Sequence, residues 1–164
     1  MEFFLKEIEK ALNRRLYFIA LQSTLSLPDI CGALASSDGR ASGPNYIKWY
    51  NTYAREKGPI SISGEDCYYF RCSCLHQGTS QNPKSTYTRI AFLVPNNGLI
   101  YHNNIIDGIL NIDINLFCKN IISAVRNWEA EAKNTDNYIK NYDKLIRVYP
   151  NGLPPYITGM PVIS

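Results

Sequence analysis

Apolar side chains return at helical spacing in one segment of this chain after another, and that period constrains the fold more than any other feature. Near the start, Phe4, Ile8, Leu12, Leu16 and Ile19 fall three or four residues apart, which predicts one long amphipathic helix over about residues 2–23. The stretch LSLPDICGALA then restarts a helix. Pro28 suits its first turn, where a missing N–H costs nothing, and Asp29 suits the positive helix end. The Ser- and Gly-rich loop SSDGRASG separates this from NYIKWYNTYARE, a third helix whose Trp49, Tyr50 and Tyr53 read as core packing rather than as base-stacking platforms. From Asn115 onward Leu116, Phe117, Ile121, Val125 and Trp128 form another stripe, and NYIKNYDKLIRVY predicts a further helix.

One segment has a different period. YTRIAFLV is β-branched and aromatic, and the turn signal PNNG and then LIYHNNII follow it, which predicts an inserted β-hairpin over about residues 87–106. The proline-rich tail PNGLPPYITGMPVIS cannot be helical throughout, and it predicts an extended arm packed through Tyr156 and Ile157. With 164 residues the chain can close one hydrophobic core without staples. The expected fold is therefore mainly α: a single-domain helical bundle over residues 1–148 with the hairpin inserted, and an extended tail over residues 149–164.

The formal charge of +3 is spread evenly, since residues 1–60 hold eight basic and six acidic side chains, so no basic stripe announces a polyanion. Five cysteines form an odd set without a secretory signal, which points to reduced thiols and a cytoplasmic protein. Charges at positions 2, 6, 7, 9, 10, 14 and 15 interrupt the apolar residues of the first segment, so neither export nor membrane insertion is expected. There is no Gly-rich phosphate loop, nucleophile elbow or H-E-x-x-H pair, and no cofactor is expected.

The stretch SGEDCYYFRCSCLHQG concentrates the chemistry. Ser63 with Asp66 three residues on is an acidic variant of the capping box, and Gly78 is a natural helix stop. Cys67, Cys72, Cys74 and His76 offer soft metal ligands, but they point in several directions around a helix and lack the paired spacing of a zinc site, so no metal is expected. Structurally, Cys67, Arg71, Cys74 and Gly78 form a strip of small residues around one arginine, along which another helix can approach while Arg71 pairs with a carboxylate.

Arg71, the four residues CSCL, and His76 followed by Gln77 and Gly78 resemble the R-x4-6-H motif of HEPN domains. That resemblance implies a compact helical domain, commonly a homodimer, in which motif residues meet in a cleft and cut RNA without metal. It also implies RNA as substrate, a protein partner such as an antitoxin, and a setting in phage defence or toxin and antitoxin systems. Arg71 would stabilise phosphate charge and His76 would transfer the proton, with Asp66, Tyr69 or Gln77 orienting them. Cys72 departs from the polar residue often found after the arginine in members that cut RNA. LSLPDICGAL, YIKWY and GEDCYYFRCSCLHQG also resemble an uncharacterised bacterial family, which implies no activity. A second function class is a non-catalytic helical interaction module that dimerises through the Arg71 helix.

Geometry sets a condition on the catalytic reading. Five residues along a regular helix leave Arg71 and His76 about 140° apart, so they are expected to converge only if the helix ends near Leu75 or a second subunit completes the site. Asp29 is read as a capping residue before a partner for a distant arginine, and His102 as a surface or turn residue.

Overall fold

The computed structural model describes residues 1–58, 61–96 and 101–164. The fold is mainly α. Helix α1 (Glu2–Asn13) buries Leu5, Ile8, Ala11 and Leu12, and α2 (Tyr17–Ala35) follows after a sharp break. The expected helix over residues 2–23 is thus two helices. Arg15 takes a left-handed conformation at φ 59°, and the Leu16 N–H donates to the Ala11 carbonyl across the break at 2.9 Å. A non-glycine residue pays for that conformation, so the break is held by what it places: α2 packs against α1 and also against the four other α-helices defined below.

Pro28 does not restart a helix. It lies buried inside α2, where it denies the Thr24 carbonyl its usual N–H partner. Burial of Leu25, Leu27, Cys31 and Leu34 on both sides of it outweighs that loss, which is why the local proline signal misplaces the boundary. Asp29 is the one charged residue of α2. By length and composition this helix is apolar enough to cross a membrane, and half of its apolar window is buried inside the protein.

Helix α3 (Gly43–Trp49), capped by Ser42, runs directly into a π-helix over Tyr50–Glu56, so the third predicted helix changes its winding midway. Helix α4 (Gly64–Gln77) has the predicted ends: the Ser63 hydroxyl accepts the Asp66 N–H at 3.0 Å, and Gly78 closes the helix in the left-handed conformation at φ 66°. A Cβ at Gly78 would meet nothing within 4 Å, so glycine is needed there for its backbone angle and not for space.

Strand β1 (Arg89–Leu93) does not fold back on the residues that follow it. It pairs in parallel with β3 (Ile109–Asp113), in the register Ile90 to Leu110 and Phe92 to Ile112. The hairpin is instead β2 (Asn104–Ile106) with β3, across Asp107 and Gly108, both at positive φ. The expected turn residues Asn97 and Gly98, with Leu99 and Ile100 of the expected second strand, lie outside the described residues. The buried apolar face of β3 (Leu110 and Ile112) against Ile90 supplies the physical reason, because β3 is the strand both others can use to cover the core. Phe92 joins this sheet to the helices, with its ring 5.1 Å from Phe70 and 5.0 Å from Phe117.

Asp113 ends β3 and caps α5 (Ile114–Ala132), accepting the Leu116 N–H at 2.8 Å. Phe117, Ile121, Val125 and Trp128 are buried along α5 as the stripe predicts, while Leu116 is exposed. Helix α6 (Asp136–Tyr142) stops seven residues before the predicted end at Tyr149. The tail is not a simple arm. It doubles back as two nested antiparallel ladders, β4 (Val148–Tyr149) with β7 (Val162–Ile163) and β5 (Gly152–Leu153) with β6 (Ile157–Thr158). Tyr156 is 83% exposed, so it does not anchor the tail to the helices. The extended backbone satisfies its own hydrogen bonds instead.

Candidate functional site

Helix α4 carries the motif and α2 meets it from the side. Arg71 Nη2 lies 2.6 Å from Asp29 Oδ2, with both side chains largely buried. Arg71 Nη1 lies 3.2 Å from His76 Nε2 and 3.8 Å from the Cys72 sulfur. The two motif residues therefore converge within one chain, on a helix that continues to Gln77. The expectation that convergence needs a helix end at Leu75 or a second subunit is corrected by side-chain length, since a guanidinium on its flexible stem spans the angular gap that Cα positions leave.

A guanidinium has only donors, so His76 Nε2 accepts from Arg71 and the imidazole carries its proton on Nδ1. Burial raises the Asp29 pKa above the ordinary carboxylate value, and the nearby Arg71 charge and hydrogen bond only partly offset this. Burial works against the Arg71 charge as well, but the Asp29 carboxylate and Cys72 outweigh it and push the guanidinium pKa further up. Arg71 stays cationic throughout. Its Nε is buried without a hydrogen-bond partner, which leaves one donor of the fork unused.

Asp29 thus lies mid-helix as the partner of a distant arginine and does not cap a helix. It also lines a cavity of about 300 Å³ with Ile30, Ala33, Gly39, Ala41 and Lys144, while Arg71 and His76 lie outside that lining. Tyr68 was not singled out by the sequence. Burial, then a hydrogen bond with Cys72, raises its phenol pKa, and its ring stands so close over Gly43 that a Cβ there would meet its Cζ at 2.9 Å. The i, i+4 spacing of Tyr68 and Cys72 was the available signal.

Two of the three expected orienting residues, Asp66 and Tyr69, are engaged elsewhere. Asp66 is buried and accepts from the Ser63 hydroxyl at 2.8 Å, the Ser85 hydroxyl at 2.9 Å and the Thr86 N–H at 2.6 Å. Tyr69 offers its carbonyl to the Asn82 side chain at 3.2 Å, and Lys84 lies over its ring at 5.9 Å. Both residues fasten the loop after α4. Gln77 is exposed beside His76 in sequence.

The cysteine strip packs within its own chain. Cys67 meets the Tyr46 hydroxyl of α3 at 3.3 Å, and burial pushes its thiol up to about 12. All five cysteines are free thiols, and among the described residues no three His, Cys, Asp or Glu side chains converge as a metal-ligand set. His102 is half-buried: its Nδ1 accepts the Asp113 N–H at 3.2 Å, and burial holds its pKa below the ordinary value.

No family model matches the chain, and neither a curated protein nor a solved structure resembles it closely enough to place it.

Proposed function

We propose that the chain is a HEPN-like RNA-binding protein, acting as a metal-independent endoribonuclease, built as one helical bundle and working as a homodimer with RNA and an antitoxin-like protein partner in phage defence or a toxin and antitoxin system. The observation that carries this reading is the 3.2 Å approach of Arg71 Nη1 to His76 Nε2 at an exposed helix end. A phosphate oxygen entering between them would take the Nη1 donor and free the Nε2 lone pair. His76 could then remove the proton from a ribose 2′-hydroxyl. The 2′-oxygen would attack phosphorus, the bond to the 5′-oxygen would break, and that oxygen would leave with a proton returned by an imidazolium. Asp29 would hold the far side of the guanidinium in place while Arg71 balances the charge gathering on the phosphate.

The second reading, a non-catalytic helical interaction module that dimerises through the Arg71 helix, is favoured by the same ion pair. Arg71 already has its charge compensated by Asp29 at 2.6 Å, as a purely structural arginine would. One assay separates the two. The purified protein and its His76→Ala variant are incubated with mixed RNA in excess chelator, and fragment ends are analysed. Chains ending in 2′,3′-cyclic phosphate from the wild type alone support the enzyme. Equal background cutting by both proteins sinks it.

A further inference from the structure

The bundle treats the two ends of α2 differently. At its far end α6 is fastened across it, with the Asn141 side chain donating to the Ala33, Leu34 and Ser36 carbonyls. At its start Leu16, Phe18 and Ile19 stand 52, 59 and 54% exposed. Three large apolar side chains within four residues are a contact surface rather than scattered surface hydrophobics. Grooves open on both sides of them. One, of about 590 Å³, runs between α1 and α2 and is lined by Ile8, Ala11, Leu16 and Ile19 with Arg14. The other, of about 340 Å³, lies between the start of α2, the end of α4 and β1, and is lined by Phe18, Phe70 and Ile90 with Arg89.

Charge selects the occupant. Arg14, Arg15 and Arg89 are exposed and, among the described residues, make no ion pair. The acids of α1 are already spent, Glu7 on Lys10 and both Glu2 and Glu9 on Arg126, each at 2.8 Å. An apolar apex beside uncompensated arginines fits an anionic lipid surface, where apolar side chains enter the acyl boundary and guanidiniums meet headgroup phosphates. A second copy fits less well, because two such faces brought together set like charge against like. RNA would use the arginines, yet Leu16 and Ile19 offer its bases no ring to stack on.

We propose that the start of α2 is a peripheral membrane contact, in which Leu16, Phe18 and Ile19 enter the headgroup and acyl boundary of an anionic bilayer while Arg14, Arg15 and Arg89 hold its phosphates. The contact is shallow, since Asp29 and the buried turns of α2 stay packed in the bundle. It does not depend on the RNA-cutting reading.

The purified protein is sedimented with vesicles of phosphatidylcholine and phosphatidylglycerol and, separately, with vesicles of phosphatidylcholine alone. Binding to the anionic vesicles is expected, much weaker binding to the neutral ones, and a loss of the difference as salt rises. Phe18→Ser should weaken binding about tenfold or more, and Arg14→Gln combined with Arg15→Gln should do the same. Ile139→Ser, at a side chain 56% exposed on α6 beside the far end of α2, should leave binding unchanged. The proposal is overturned if the wild type ignores both vesicle types or binds them equally, if Phe18→Ser or the double arginine variant binds as the wild type does, or if Ile139→Ser weakens binding as much. Dimerisation that Phe18→Ser abolishes, without vesicle binding, would overturn it in favour of a second copy, and arginine-dependent retention by RNA but not by vesicles would overturn it in favour of nucleic acid.

Discussion

Asp29 Oδ2 lies 2.6 Å from Arg71 Nη2, so the only charge on the most apolar helix of the fold is spent on fixing the motif arginine. The pair is not an even exchange. Burial leaves the Asp29 pKa raised even beside a permanent cation, which means the carboxylate's charge costs stability in the folded state. A raised folded pKa contributes stability that is complete below the unfolded value and is lost as pH climbs through the folded one. Arg71→Met removes the largest compensation and pushes the Asp29 pKa further up. It should cost about 2 kcal/mol at pH 7, and the loss should shrink as pH falls toward 4 and Asp29 takes its proton. Urea unfolding of both proteins between pH 4 and 7 checks this. The idea fails if the difference between them stays constant with pH.

Asp66 behaves in the opposite sense over the same acidic range. Burial pushes its pKa up, but the Thr86 N–H and the Ser63 and Ser85 hydroxyls outweigh that and hold it below the ordinary carboxylate value. With the folded pKa depressed, its contribution is present above the unfolded value and is lost as pH falls through the folded one. Asp66→Ala removes three hydrogen bonds to one carboxylate, two of which tie residues Ser85 and Thr86 to α4. The expected cost is about 3 kcal/mol at pH 7, with faster amide exchange in the loop over residues 79–88 and a flatter loss of stability below pH 4. Hydrogen exchange unchanged in that loop would show that Asp66 serves only the helix cap.

These two carboxylates also show what the sequence made legible. Asp66 sits three residues after Ser63, a local signal that places the start of α4 correctly, and Gly78 places its end. Local signals carried less far elsewhere. Pro28 reads as a helix start because its missing N–H is a local property, whereas its place inside α2 goes with the packing of that whole helix against five others. The hairpin reading fails for the same reason, because the partner that β1 finds in β3 lies twenty residues away and is chosen by a shared buried face. Within the site, Arg71 and His76 were found from their spacing. Asp29 was weighed as the partner of a distant arginine but ranked behind a capping role, since no periodicity in α2 or α4 reveals that the two helices meet at that point.

The 3.2 Å contact between Arg71 and His76 makes a prediction that needs no substrate. Because the guanidinium donates, neutral His76 must carry its proton on Nδ1, the minority form for a free imidazole in water. The other histidine supplies an internal control. His102 Nδ1 accepts the Asp113 N–H at 3.2 Å, so its proton must sit on Nε2. With both rings neutral, nitrogen chemical shifts should therefore report opposite tautomers for the chain's two histidines. Arg71→Met should return His76 to the Nε2–H form and leave His102 as it was. Phosphate-bearing RNA added to the wild type should shift the His76 Nε2 signal but keep the neutral ring in the Nδ1–H form, because the phosphate takes Arg71 Nη1 and the freed Nε2 lone pair accepts from a ribose 2′-hydroxyl instead. A wild-type His76 already in the Nε2–H form would mean that the pair is not engaged in solution, and the catalytic reading would lose the contact that carries it.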